Sequence, residues 1–283
     1  MMFCGACERL LPDDAFSVEQ RGLRRSIRRC IACVAAGNQL VLMTRGTTRE
    51  DDICPVCQSV LPIEVGESMT QPCCMNLVCN GCLLSSIRYG IMNCPLCRTA
   101  FPTSESQVHA MVQKKSDAGH PMALCFRGDQ LRCGVNGAVM DVSGGIELCR
   151  QAAELGVKEA HYTLGQMYGP GGHLRLDLTR SVEHYEKAAM SGHVMARFSL
   201  GVLEYNDGRK HLALQHFLIS AKLGHTDSLR NINRLLKEGI ATKADYDGAL
   251  QGHEAATEEM SSPTRDEAKV MGWRKITTCA GSP

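Results

Sequence analysis

The stretch ICPVCQSVLPIEVGESMTQPCCMNLVCNGCLLSSIRYGIMNCPLCR, residues 53–98, decides how this chain reads. It carries eight cysteines as four pairs: Cys54 with Cys57, Cys73 with Cys74, Cys79 with Cys82, and Cys94 with Cys97. Three pairs are Cys-x-x-Cys, a spacing that lets both thiolates reach one tetrahedral zinc ion with bonds of about 2.3 Å. Four such pairs supply the ligands of two ions. Upstream, Cys4, Cys7, Cys30 and Cys33 form a further four-thiolate set. Three Zn2+ ions are therefore expected, all in closed structural sites with no open position for catalysis.

The composition supports metal over disulfides. The chain has 283 residues, 16 cysteines, one Trp, six Tyr and six Phe. Twelve cysteines fall in the first 97 residues, which hold too few large apolar residues for an ordinary core, and small modules of that kind depend on metal. The start, MMFCGACERL, has neither the basic opening nor the apolar run of a secretory signal. Clustered thiols then imply a reducing compartment, cytoplasmic or nuclear. No apolar run approaches the roughly 18 residues of a membrane span. A formal net charge of +1 gives no global field toward nucleic acid, so any such binding needs a local patch.

One candidate patch exists. Arg21, Arg24, Arg25, Arg28 and Arg29 lie between the two cysteine pairs of the first set, and arginine forks donate bidentate hydrogen bonds to phosphate. Arg24, Arg25, Arg28 and Arg29 are the nucleic-acid candidates; the competing reading is a solvated basic face balanced by Asp13, Asp14 and Glu19. Together with Leu11-Pro12, Phe16-Ser17 and Gln20, these residues and the four cysteines resemble the Stc-one-like zinc finger, a family known from a protein linking small-RNA silencing to chromatin.

The eight-cysteine block resembles a RING finger. The resemblance implies a cross-brace, in which Cys54, Cys57, Cys79 and Cys82 hold one ion and Cys73, Cys74, Cys94 and Cys97 the other. Asn76 stands where the family often has a histidine ligand; the resemblance to all-cysteine variants implies that Cys73 completes the second site, the alternative being a damaged site that holds metal weakly. The resemblance also implies docking of a ubiquitin-conjugating enzyme through Val56 and Pro95, with Arg98 placed to hydrogen-bond both ubiquitin and that enzyme. Leu83, Leu84 and Ile87 replace the tryptophan frequently found in the docking groove. No lysine precedes Lys114, whereas ten arginines occur in the first hundred residues.

The second half has a different texture. Gly119, Gly156, Gly192 and Gly224 recur at 37, 36 and 32 residues, in phase with Ala123, Ala160, Ala196 and Ser228, and with Gly165 and Gly201. Periods of this size signal stacked helix pairs. Ala196, Leu200 and Leu203 share one helical face, as do Val182, Tyr185 and Ala189. His120, His193 and His225 each follow a repeat glycine and suit helix starts. The motifs Ala160–Tyr168 and Tyr185–Gly192 resemble Sel-one-like repeats, relatives of tetratricopeptide repeats, which implies a surface for binding peptides.

The expected architecture is thus small zinc-stabilised α+β modules followed by an all-α helical-repeat solenoid. The expected divisions are a treble-clef-like finger at 1–38, a linker at 39–50, a cross-brace RING at 51–101, a linker at 102–116, repeats at 117–258 and a disordered tail at 259–283. The expected function is a RING-type ubiquitin-protein ligase or ligase subunit whose repeats recruit a protein substrate. Its alternatives are a non-catalytic zinc-dependent scaffold and an RNA- or chromatin-associated adaptor acting through the first finger.

Overall fold

The computed structural model describes residues 1–272, so Cys279 and the part of the expected tail from residue 273 on lie outside the described residues. The first module pairs β1 (Met2–Phe3) with β2 (Leu10–Leu11), then runs through the short helices α1 (Val18–Arg21) and α2 (Ile31–Ala35). Its core is Phe16 packed among Cys4, Cys30 and Cys33. The second module pairs β3 (Ser68–Thr70) antiparallel with β4 (Leu77–Cys79) and continues into α4 (Asn80–Arg88). Leu61, Val78 and Leu83 pack against Cys54 and Cys79. In both modules the apolar core is little more than a few side chains around thiols, as the composition implies.

The helical half stacks as antiparallel pairs: α6 (Pro121–Cys133) on α7 (Val142–Glu154), α8 (Lys158–Tyr168) on α9 (Leu178–Met190), and α10 (Val194–Asn206) on α11 (Lys210–Lys222). Next come α12 (Thr226–Lys237) and the longer α13 (Lys243–Met260), which begins with a capping box between Thr242 and Asp245. The repeat glycines end the preceding helices in the left-handed region, with φ of 77° at Gly119, 84° at Gly156, 81° at Gly192 and 100° at Gly224. His120, His193 and His225 then occupy the N-cap positions of α6, α10 and α12, and the His193 ring accepts from the Ala196 N–H. Gly165 and Gly201 allow close packing. A Cβ at either would sit 2.6 Å from a ring carbon, of Tyr185 and Phe217 respectively.

Three expectations about connecting segments are revised. Residues 39–50 are not a free linker: α3 (Val41–Thr44) lies against α9, and Leu42 is buried in one cluster with Ile27, Tyr185, Ala188, Ala189, Ala196 and Leu200. The stretch 102–116 is mostly α5 (Glu105–Asp117), capped by Ser104, with Val108 and Val112 buried against Met75 and Ala123. At the C-terminal side, α14 (Pro263–Val270) is an ordered helix packed on α4. Polar residues suggested loops, with Pro102 adding to the signal at 102–116, but the apolar positions of these segments face a neighbouring module. None of these partners is visible in the local sequence.

Candidate metal centres

Twelve cysteines converge in three sets: Cys4, Cys7, Cys30 and Cys33; Cys54, Cys57, Cys79 and Cys82; Cys73, Cys74, Cys94 and Cys97. Within each set the sulfurs lie within 4.8 Å of one another. Closer pairs include Cys54–Cys82 and Cys57–Cys79 at 3.9 Å, and Cys74–Cys94 at 3.8 Å. A tetrahedron built on bonds of about 2.3 Å has edges of about 3.8 Å, so these sites fit a zinc ion. The last two sets interleave along the chain: the ligands of one site flank those of the other in sequence.

The local backbone explains how each pair is aimed. In the turns at Cys4, Cys54 and Cys94, the N–H of the residue after the second cysteine donates to the first cysteine's carbonyl. The pairs are Glu8 to Cys4, Gln58 to Cys54 and Arg98 to Cys94, each at 2.9 Å. Those three residues take positive φ, 54°, 59° and 60°. The same knuckle is therefore built three times. Two sets complete it with the start of a helix: Cys30 caps α2, its sulfur accepting the Cys33 N–H, and Cys79 caps α4. The remaining set completes its knuckle with the adjacent Cys73 and Cys74.

Four thiols at such distances cannot all ionise without a cation. The contact with Cys79 brings Cys54 down to about 4, whereas Cys79 is pushed far up by Cys54 and by burial. Burial opposes ionisation of Cys97, but the hydroxyl and N–H of Thr99 bring it down to about 6; Cys73 moves up through burial and the neighbouring Cys97 thiol. A divalent metal bound in these clusters would displace the remaining thiol protons to solvent.

Around the second module, Val56 is 40% exposed, Pro95 is half-buried and Arg98 is exposed. Tyr89, Ile91 and Met92, between α4 and Cys94, are exposed too. Leu83 and Leu84, read as groove substitutes, are buried instead, while Ile87 is half-buried.

The arginine run is largely engaged inside the molecule. Arg24 is held between Glu186, at 2.8 Å, and Glu204. Arg25 lies 4.0 Å over the Phe3 ring. Arg28 donates to the carbonyls of Gln20, at 3.1 Å, and Leu23, at 2.5 Å. Arg29 donates to the carbonyl of Asn38 at 3.3 Å. These side chains brace the finger and dock it onto α9 and α10. Arg197 answers from α10: fully buried, it donates to the carbonyls of Leu42, Arg45 and Ala189 at 2.6, 2.5 and 2.9 Å. Sequence reading missed Arg197, Glu186, Glu204 and Arg265 because charged residues on an amphipathic helix look like its wet face.

The family model described as Sel1 repeat matches residues 158–193 and 194–225. These segments are Sel1 repeats. They coincide with α8–α9 and with α10–α11, extended to the N-cap of α12. Among solved structures, the chain is similar to a Sel1 repeat protein from Oxalobacter formigenes, with 22% identity over 63% of this chain and 71% of that one, at a TM-score of 0.48. It is also similar to a protective antigen of uropathogenic Escherichia coli strains displaying an SLR fold, with 18% identity over 68% of this chain and 41% of that one, at a TM-score of 0.48. No curated protein matches the chain. Among the described residues, no helix is long and apolar enough to cross a membrane.

Proposed function

We propose that this protein is a zinc-dependent RING-type ubiquitin-protein ligase or ligase subunit, with Sel1 repeats as its platform for protein substrates. The observation that carries the reading is the interleaving of two four-thiolate clusters; beside their cysteines, Val56 is 40% exposed, Pro95 half-buried and Arg98 exposed. Two zinc ions would make the loops rigid, because each ion ties chain segments that are distant in sequence. Val56 would enter the apolar surface of a ubiquitin-conjugating enzyme, and Pro95 would shape the second contact loop. Arg98 projects from a backbone fixed by its N–H bond to Cys94, so its five-donor guanidinium can bridge carbonyls of ubiquitin and enzyme. The chemistry is positioning: the loaded thioester is held in an attack-ready arrangement and no covalent intermediate forms on this chain.

The test is discharge of a ubiquitin-loaded conjugating enzyme onto free lysine. Wild type should accelerate discharge, Val56→Ala should lower it by weakening docking, and Arg98→Ala should lower it at saturating protein. No acceleration by wild type, or full activity in both variants, overturns the reading.

A zinc-dependent scaffold is the second reading. It draws on the burial of Leu83 and Leu84, which leaves α4 with Ile87 as the remaining groove substitute. Retained binding of a conjugating enzyme without discharge would favour it. The nucleic-acid adaptor reading is weakened by the internal partners of Arg24, Arg25, Arg28 and Arg29. Retention of RNA or DNA that is lost on replacing exposed Arg25 and half-buried Arg29 would restore it.

A further inference from the structure

α14 contributes a buried cation to a metal cluster more than two hundred residues away. Arg265 is 7% exposed, and its guanidinium donates to the Cys57 sulfur at 3.3 Å. The same group donates to the carbonyls of Val60 at 2.6 Å and Met260 at 2.7 Å, with a longer bond to Ser59 at 3.4 Å. One side chain therefore grips both the thiol and the main chain just beyond the Cys54–Cys57 knuckle.

The bed for α14 is shaped to receive it. Gly81 lies between the ligands Cys79 and Cys82, and a Cβ there would sit 2.8 Å from the Arg265 nitrogen and 2.9 Å from the Thr264 hydroxyl. Arg88 on α4 pairs with Glu267, and Lys269 pairs with Glu67 just before β3. Opposite charges thus flank the Arg265 contact on both sides. Among the described residues, no guanidinium donates to a thiol of the other two clusters. Cys33 receives the Asn38 amide at 3.4 Å instead, and Cys97 lies 3.3 Å from the Thr99 hydroxyl.

We propose that Arg265 is a positioning residue for the zinc held by Cys54, Cys57, Cys79 and Cys82, so that retention of this ion depends on the C-terminal helix. The inference rests on the zinc reading above. Four thiolates around Zn2+ carry a net charge of −2. A guanidinium hydrogen-bonded to one of them disperses that charge and opposes protonation and departure of the Cys57 sulfur. Carbonyl bonds from the same fork fix the loop that presents it. A lysine would keep the charge but lose the fork.

The experiment follows zinc release from the full-length protein into a colorimetric chelator, with iodoacetamide labelling mapped cysteine by cysteine. Wild type should hold three ions. Arg265→Ala should release one of them about 10–100-fold faster, the range seen on losing groups that orient metal ligands, with Cys57 among the first cysteines labelled. Arg265→Lys should fall between the two. If Arg265→Ala does not fold, Glu267→Ala at an exposed ion pair replaces it, and a smaller acceleration confined to the same ion is expected. Unchanged release and labelling in both variants overturns the proposal, as does uniform acceleration of all three ions, which would report general destabilisation. A wild type that holds no zinc at these cysteines overturns the zinc reading and this proposal together. Three ions released alike in wild type and variants overturn this proposal alone.

Discussion

Arg197 donates a hydrogen bond of 2.6 Å to the main-chain carbonyl of Leu42, joining the repeats to a segment 155 residues earlier. The guanidinium is fully buried, and among the described residues its three acceptors are main-chain carbonyls, those of Leu42, Arg45 and Ala189. Removing it takes the guanidinium from the carbonyl of buried Leu42, at a cost on the order of 1–3 kcal/mol, and weakens the bonding at Arg45 and Ala189. Arg197→Ala should therefore lower unfolding free energy by about 2–5 kcal/mol, with non-additivity limiting the sum. Limited proteolysis should at the same time cut first within residues 39–50. Resistance of that segment in the variant would disprove the clasp.

Metal removal should act unevenly. Metal held at the three cysteine clusters would supply most of the cohesion of residues 1–101, whereas the repeats carry their own clusters around Leu164 and Phe217. Chelation should expose all twelve ligand cysteines to alkylation while far-UV circular dichroism keeps most of its helical signal. Loss of helix in proportion to zinc loss would mean that the repeats cannot stand without the finger.

Acid should weaken the repeats before their carboxylates titrate. His216 is fully buried, its ring nitrogens have no hydrogen-bond partner, and burial together with Arg197 and Arg24 pushes its pKa well below 6.5. Burial likewise brings His161 and His184 to about 4. Unfolded histidines bind protons that the folded chain refuses, so stability is full above about pH 6.5 and declines as pH falls toward the folded values. Tm should drop between pH 7.5 and pH 5, and His216→Leu should drop less. An equal slope in the variant would show that His216 takes no part.

Close helix approach predicts intolerance at one glycine. A methyl at Gly201 would meet the Phe217 ring at 2.6 Å, and Phe217 is itself fully buried. Gly201→Ala should cost about 1–3 kcal/mol by overpacking despite its gain in helix propensity. A denaturation midpoint at or above that of wild type would contradict this packing.

The knuckles predict the opposite sign. Gln58 holds φ of 59°, a region that costs an L-residue roughly 1 kcal/mol and a glycine little. Gln58→Gly should keep zinc and raise the midpoint of metal-linked unfolding slightly, whereas Gln58→Val should lower it. Equal midpoints for the two variants would refute the strain.

The elements most legible in sequence were those fixed by local chemistry. Cys-x-x-Cys spacing placed three knuckles, and glycine phase placed the ends of α7 and α9 at Gly156 and Gly192. What stayed hidden depends on contacts between distant segments. Arg24 reads as a phosphate ligand until Glu186 and Glu204 come into place beside it. Gly81 carries no distinguishing signal in the sequence; its need for a missing side chain becomes visible only with α14 lying across it. Polar residues in 105–117 and 263–270 resemble linkers because each helix buries only a narrow stripe.

The cluster joining Ile27 and Leu42 to Tyr185, Ala188, Ala189, Ala196 and Leu200 places a single hydrophobic core across the border between two modules. Excision at residue 117 would strip Ile27 and Leu42 from that core and leave its remaining apolar wall facing water. The sequence divides into modules, but the finger supplies part of one wall of the array. Loss of the finger should therefore lower the melting temperature of the array without abolishing the array's own transition.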